Sequence, residues 1–220
     1  MASQEKHSEA QRPAPRLYLV TPEVADAQSF ARTLEPALAG ADVAAVLLRL
    51  KSSDERTLIN RVKLLAPIVQ QRDTALVLDG LPEIVARGGA DGAHLTGIAA
   101  FEEALVSLKP ARIAGCGGLH TRHDAMIAGE RGADYVMFGE PDVSGRRPSF
   151  DTILERVAWW AEVFEVPCVG YAGHCDEIAP LVEAGADFVA IGDFIWADAR
   201  GAAKAIVEAA GRMTVPEEVA

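Results

Sequence analysis

The chain has 220 residues, half of them hydrophobic and about a quarter charged, with a formal net charge of −11 and a pI near 4.9. That composition describes a globular domain with a packed core, and its acidity argues against a nucleic-acid or anionic-membrane surface, both of which need a basic patch. It leaves room for a phosphorylated ligand, because a few local cations and backbone N–H groups are enough to hold one.

Residues 1–15 are polar and close on Pro13-Ala14-Pro15, so they read as a disordered tail without the apolar segment of a secretory signal. A first strand follows at 16–22 and is stopped by Pro22. Helical spacing of Phe30, Leu34 and Leu38 marks a helix over 26–39, with Asp26 as its N-cap and Gly40 just beyond its end. Pro36 weakens that helix's last turns. Residues 43–51 are continuously apolar until Arg49 and Lys51, the pattern of a parallel strand buried on both faces. A long amphipathic helix opens at Ser53-Asp54-Glu55 and runs to about residue 72.

The same rhythm continues to the end. Strands are expected at 75–79, 92–96, 112–116, 135–139, 167–171 and 188–192, and helices at 82–87, 99–108, 121–131, 150–164, 176–184 and 199–213. Residues 215–220 carry no signal and read as a second tail. Strict alternation of strand and helix implies a parallel sheet. Eight such units in about 200 residues favour a closed (βα)8 TIM barrel over 16–214, a single α/β domain. No Gly-x-Gly-x-x-Gly follows the first strand, which weakens a dinucleotide fold.

Gly-Ala-Asp occurs four times, at 40–42, 89–91, 132–134 and 185–187. Each copy precedes an even-numbered strand. Glycine can end a helix in the left-handed conformation, and aspartate can tie down the turn by accepting backbone N–H groups. These joints lie on the face of a barrel that serves stability.

Chemistry belongs at the opposite face, where the strands end. Arg49 and Lys51 lie two residues apart at one strand end and could share a face. Asp79 closes an apolar strand, either as a turn former or as a ligand for Mg2+ and a polyphosphate. His94 in a short strand reads first as a hydrogen-bonded structural histidine. His120, after the Gly115-Cys116-Gly117-Gly118 run and just before a helix, is the best placed general acid or base. Gly173 and Gly192, at the seventh and eighth strand ends, stand where phosphate-binding barrels put cradling amides. Trp159 and Trp160 read as packing residues. Cys116, Cys168 and Cys175 are too few and too irregular for a disulfide framework. They read as buried thiols of a reducing compartment, and with no apolar run of bilayer length a soluble cytoplasmic protein is expected.

Leu17-Tyr18-Leu19-Val20-Thr21, Arg49-Leu50-Lys51, Leu78-Asp79, Gly92-Ala93-His94-Leu95 and above all Gly132-Ala133-Asp134-Tyr135-Val136-Met137-Phe138-Gly139 stand in an order and spacing that resembles the thiamine-phosphate synthase family and its TenI relatives. The resemblance implies a barrel that joins a hydroxymethylpyrimidine diphosphate to a thiazole phosphate and releases pyrophosphate with the help of Mg2+. It implies Arg49, Lys51 and Asp79 on the diphosphate and the metal, and Ser144, Arg146 and Arg147 in a phosphate-contacting loop. Gly173 and Gly192 would hold the thiazole phosphate, so the expected partner is a small phosphorylated heterocycle. Against the family pattern, Leu47 replaces a glutamine, Leu78 an asparagine and Ala99 the second metal-binding aspartate, while Asp193 adds an anion near an expected phosphate. A TenI-like thiazole tautomerase, which needs a proton shuttle but no metal, and a non-catalytic binding barrel are the two alternatives. Self-association stays open.

Overall fold

The computed structural model describes residues 13–214; most of the expected N-terminal tail and all of the C-terminal one lie outside that range. Eight strands, β1 (Arg16–Val20), β2 (Val43–Leu48), β3 (Ala75–Asp79), β4 (Gly92–Thr96), β5 (Ile113–Gly117), β6 (Tyr135–Phe138), β7 (Cys168–Tyr171) and β8 (Phe188–Ile191), are separated by helices. The helices are α1 (Ala27–Ala39), α2 (Glu55–Gln70), α3 (Val85–Gly88), α4 (Ile98–Leu108), α5 (Arg122–Glu130), α6 (Phe150–Val163), α7 (Ile178–Glu183), α8 (Asp193–Trp196) and α9 (Ala202–Gly211), with short 3-10 turns before α3 and α7. Each strand pairs in parallel with the next, and β8 closes on β1. The fold is a single TIM barrel. No helix among the described residues is long and apolar enough to cross a membrane.

Alternation along the strands builds two cores. Tyr18, Val20, Ala45, Leu47, Val77, Tyr135, Met137, Val169, Tyr171 and Ala190 point into the barrel. Their neighbours, among them Leu19, Val46, Leu48, Leu76 and Leu78, pack under the helices. Burial of each large aliphatic side chain stabilises by roughly 1.5–3 kcal/mol. Leu78 is therefore a packing residue of the outer layer, while its neighbour Asp79 faces the mouth. Trp160 is fully buried, donates from Nε1 to the Val166 carbonyl at 2.6 Å and stacks on Phe164.

Most element boundaries follow local chemistry. The Asp26 carboxylate caps α1 by accepting from the Gln28 and Ser29 amides, and α1 runs through Pro36. Strand β2 stops at Leu48, and Arg49 and Lys51 belong to the following connection. There the Thr21 hydroxyl accepts the Arg49 amide at 2.9 Å. The helix expected at 199–213 is α9 alone; a separate short helix, α8, directly follows β8 and was not legible. It is held by tertiary contacts, since Trp196 donates to the Val20 carbonyl at 2.7 Å and packs on Phe30.

The Gly-Ala-Asp joints stitch the barrel in pairs. Asp91 Oδ2 accepts the Leu76 amide at 2.7 Å, Asp134 Oδ2 the Ala114 amide at 2.7 Å, and Asp187 Oδ2 the Cys168 amide at 2.8 Å. Each aspartate before an even strand thus fastens the start of the odd strand beside it. Asp42 does the same to β1 through the Arg16 side chain. Gly89, Gly132 and Gly185 have positive φ as expected, but Gly40 does not. Its reason is close packing, because a Cβ there would press on Val207 and the Ala203 carbonyl of α9. Replacing Asp91 by alanine strands the Leu76 amide in a buried position and is expected to cost about 1–3 kcal/mol. Asparagine, which keeps an acceptor, should cost less; urea unfolding of the two variants measures the difference.

Candidate active site

A cavity of about 500 Å³ opens at the carboxyl ends of the strands. Leu47, Met137 and Tyr171 form apolar wall, and Arg49, Asp79, His94, Glu140, Asp142 and Asp193 supply the charge and the ring nitrogens. Arg49 is the single Lys or Arg lining it among the described residues. Its guanidinium lies 3.8 Å from the Asp79 carboxylate and 4.0 Å from that of Asp193. These loose, part-exposed pairs leave the group able to take a different anion, since such pairs contribute little on their own. A larger open depression of about 770 Å³ lies at the other end of the barrel, around Thr74, Asp91, Arg112 and Asp134. Asp91 and Asp134 are already committed to strand starts, so it reads as architecture.

Behind His94, which lines the cavity, runs a chain of polar groups. The Tyr18 and Tyr135 hydroxyls are 2.7 Å apart, and Tyr135 Oη is 3.0 Å from His94 Nδ1, with the two rings stacked. His94 is 3% exposed, and its Nε2 lies 3.7 Å from Glu140 Oε1. That gap is just beyond direct hydrogen bonding and is one that a substrate atom or a water can bridge. Glu140 is fixed in turn by the Gly118 amide. Two glycines of β5 make the chain possible: a Cβ at Gly115 would overlap the Tyr135 ring, and one at Gly117 would overlap Glu140 and His94. The arrangement presents an imidazole beside a carboxylate to the cavity, oriented from behind by a phenol, which suits proton transfer.

Burial raises the Tyr18 and Tyr135 hydroxyls well above the ordinary tyrosine value of 10, with the nearby Glu140 and Asp79 carboxylates adding to the effect. Burial likewise pushes the Cys116 thiol up to about 12 from an ordinary 9. All three therefore stay protonated through the neutral range. Their contribution to stability is complete while the unfolded chain also keeps these protons. Above pH 9 for the thiol and pH 10 for the phenols, the unfolded chain loses protons that the folded chain retains, so stability falls as pH rises toward the folded values. The expected slope is up to about 1.4 kcal/mol per pH unit for each group. Urea unfolding across that range measures it, and Tyr18→Phe should remove one group's share.

The residues expected from the sequence separate into three sets. Arg49 and Asp79 meet at the cavity. Lys51, Ser144, Arg146 and His120 do not line it: Lys51 is exposed, with its carbonyl held by Arg61. The Ser144 and Arg146 side chains both fasten to Asp142. Those bonds, Ser144's hydroxyl first, hold the Asp142 carboxyl well below the usual range. His120 is exposed, and its carbonyl accepts from Arg156 at 2.7 Å. Arg147 and Gly173 form a third set, joined to Glu177. Gly192 stands apart from these sets: a Cβ there would come within 2.9 Å of the Tyr171 hydroxyl. In place of His120, the histidine at the cavity is His94, and its acidic partner Glu140 was not singled out. The signal available for Glu140 was indirect: two consecutive glycines, Gly117 and Gly118, admit a close neighbour.

A sequence model described as thiamine monophosphate synthase matches residues 17–195. The chain belongs to the thiamine monophosphate synthase family. It is 42% identical over 196 residues to a thiamine-phosphate synthase of Rhodospirillum centenum, covering 88% of this chain and 95% of that protein. A second such protein, from Erythrobacter litoralis, is 37% identical over 88% of this chain and 94% of its own length. Among solved structures, a thiamine phosphate pyrophosphorylase from Pyrococcus furiosus superposes with a TM-score of 0.76 at 21% identity, over 92% of this chain and 96% of that one. A 3-hexulose-6-phosphate synthase shares the barrel, with a TM-score of 0.68 at 16% identity over 90% of this chain and 100% of that one. The mouth of this chain is acidic among the described residues. Glu23, Asp79, Glu140, Asp142 and Asp193 face a single arginine.

Proposed function

We propose that the chain acts in thiamine biosynthesis as a thiamine-phosphate synthase. The pyrimidine methylene–oxygen bond to the diphosphate breaks, the thiazole nitrogen forms the new bond to that methylene, and pyrophosphate leaves. The observation that carries this reading is the 42% identity to the Rhodospirillum centenum synthase across 95% of that protein. The cavity agrees with it in outline: an apolar wall of Leu47, Met137 and Tyr171 for a heterocycle, and Arg49 for the diphosphate. Arg49 favours the transition state because negative charge grows on the leaving group as the bond breaks. Lys51, Ser144 and Arg146 would join only if the connections that carry them turned inward on binding. The substrate is a small phosphorylated heterocycle, and the place of work is the cytoplasm.

The donor set bears on Mg2+. Five carboxylates and one guanidinium line the mouth, yet no three His, Cys, Asp or Glu side chains among the described residues form a metal cluster. This fits Mg2+ in the form it takes with polyphosphates, held by one or two carboxylates and by substrate oxygens. Asp79 would be the protein's ligand, and the ion when bound would offset the diphosphate's charge. Pyrophosphate is accordingly expected to bind at least about tenfold more tightly with Mg2+ than without, and Asp79→Asn should erase the difference, as read by titration calorimetry. The assay for the reaction itself is incubation of pure protein with both substrates and Mg2+, followed by mass spectrometry for thiamine phosphate. No product above the protein-free blank would sink the reading.

A second reading, metal-free tautomerisation of a thiazole phosphate, is favoured by the His94–Glu140 pair. There the proton carrier is His94 rather than the exposed His120. His94→Gln should then abolish tautomerisation while His120→Ala leaves it intact; the reverse pattern would reject the assignment.

A further inference from the structure

The synthase reaction makes charge of both signs. When the carbon–oxygen bond breaks, its electron pair leaves with the pyrophosphate oxygen. The new nitrogen–carbon bond uses the lone pair of an uncharged thiazole nitrogen, which becomes a quaternary cation, and no proton moves. Arg49 serves the negative charge. An anion held away from water would serve the positive one, by the same preorganised electrostatics.

Five carboxylates line the mouth, and four of them are committed or exposed. Asp79 and Asp193 flank Arg49 at 3.8 and 4.0 Å, Asp142 is bound by Ser144 and Arg146, and Glu23 is exposed. Glu140 differs on each count. Its side chain is 17% exposed, and no Lys or Arg among the described residues pairs with it. Oε1 accepts the Gly118 amide and lies 3.7 Å from His94 Nε2. Oε2 has no hydrogen-bond partner among the described residues. Its place is kept open by glycine, since a Cβ at Gly117 would overlap Oε1. After burial, the charge of Glu140 does most to raise the Cys116 thiol, so its field is felt within the barrel wall. A ring seated against Leu47 and Met137 shares the cavity with this carboxylate.

We propose that Glu140 is a catalytic residue of this chain, the anion that stabilises positive charge as it gathers on the joining heterocycles. The inference rests on the synthase reading and gives the cationic half of that reaction its partner. The thiazole nitrogen is uncharged until the bond forms, so the interaction is stronger in the transition state than in the ground state. It should therefore appear in kcat rather than in KM.

Two measurements test it. Glutamine at 140 keeps the volume and an acceptor for the Gly118 amide but removes the charge; aspartate keeps the charge on a shorter stem. In steady-state kinetics Glu140→Gln should lower kcat by about 10²-fold with KM for both substrates nearly unchanged, and Glu140→Asp should recover part of the loss. Calorimetric titration then compares thiamine phosphate, whose thiazolium ring is cationic, with an analogue carrying an uncharged thiophene ring in its place. The native chain should favour the cation at least about tenfold, and Glu140→Gln should lose that preference. Glu140→Ala also removes the charge and carries both measurements if the glutamine variant does not fold. A folded, uncharged variant that keeps the native kcat or the native preference for the cation would overturn the proposal. So would a native chain that does not favour the cationic ligand. Binding is read without turnover, so a chain that makes no thiamine phosphate yet shows a Glu140-dependent preference would fail the synthase reading and leave this anion's role standing.

Discussion

Arg49→Ala is expected to lower kcat/KM for the pyrimidine diphosphate by about 10²–10³-fold, the usual loss when a donor aimed at developing negative charge is removed. Three observations make this position more sensitive than the rest of the mouth. Arg49 is the single cation lining the cavity among the described residues. Its backbone is fixed on both sides, by the Thr21 hydroxyl at its amide and by the Val24 amide at its carbonyl. Its removal leaves Asp79 and Asp193 unopposed, so a diphosphate would enter a field of carboxylates alone. Lysine keeps the charge without the planar fork and should recover only part of the rate. Folding should change little, because the two ion pairs are long and more than a third exposed on average. Steady-state kinetics with a parallel pyrophosphate titration checks the prediction. A loss smaller than about tenfold would mean that the diphosphate is held elsewhere.

Gly115→Ala is expected to destabilise the fold by about 3 kcal/mol, at the upper end of the usual cost of overpacking. The added methyl would overlap the Tyr135 ring and hydroxyl. Tyr135 has nowhere to retreat, being buried and bonded between Tyr18 and His94. Moving it would break both hydrogen bonds and disturb the His94–Glu140 geometry, so activity should fall along with stability. Gly211→Ala is the control: it lies at the end of α9 with no atom close enough to meet its Cβ. That change should be neutral or mildly stabilising, by up to about 1 kcal/mol. Urea unfolding of both variants gives the comparison. Equal stabilities would show that Tyr135 is less tightly enclosed than its contacts imply.

Much of the fold was legible from the residues in order. Continuous apolar runs gave the strands of a sheet buried on both faces. Asp26, Asp54 and Thr121 cap their helices by bonds that span two or three residues. The Gly-Ala-Asp repeat announced the joints, because a positive-φ turn and a nearby acceptor are local needs that few residue types meet. Arg49 and Asp79 could be placed at the mouth for a related reason, since each ends an apolar run and only the mouth offers it water. Leu78 was harder: its neighbour Asp79 is at the site, and only the alternation fixed by strand pairing turned Leu78 toward the helices.

The order of residues is enough to give the alternation of elements, hence the closed barrel, and the face on which chemistry stands. The tertiary structure alone decided which side chains meet there. Tyr18 and Tyr135 are 117 residues apart, and Gly118 and Glu140 are separated by 22. Nothing in either neighbourhood signals the partner: β1 and β6 come to face each other when β8 closes on β1, and Gly118 meets Glu140 through the pairing of β5 with β6. The same holds for Glu177, which reaches back to an arginine thirty positions earlier. Local propensity acts over a few residues and can be read as such. A site assembled across a barrel is settled by closure, which brings distant charges and glycines to one place and decides which of them satisfy each other.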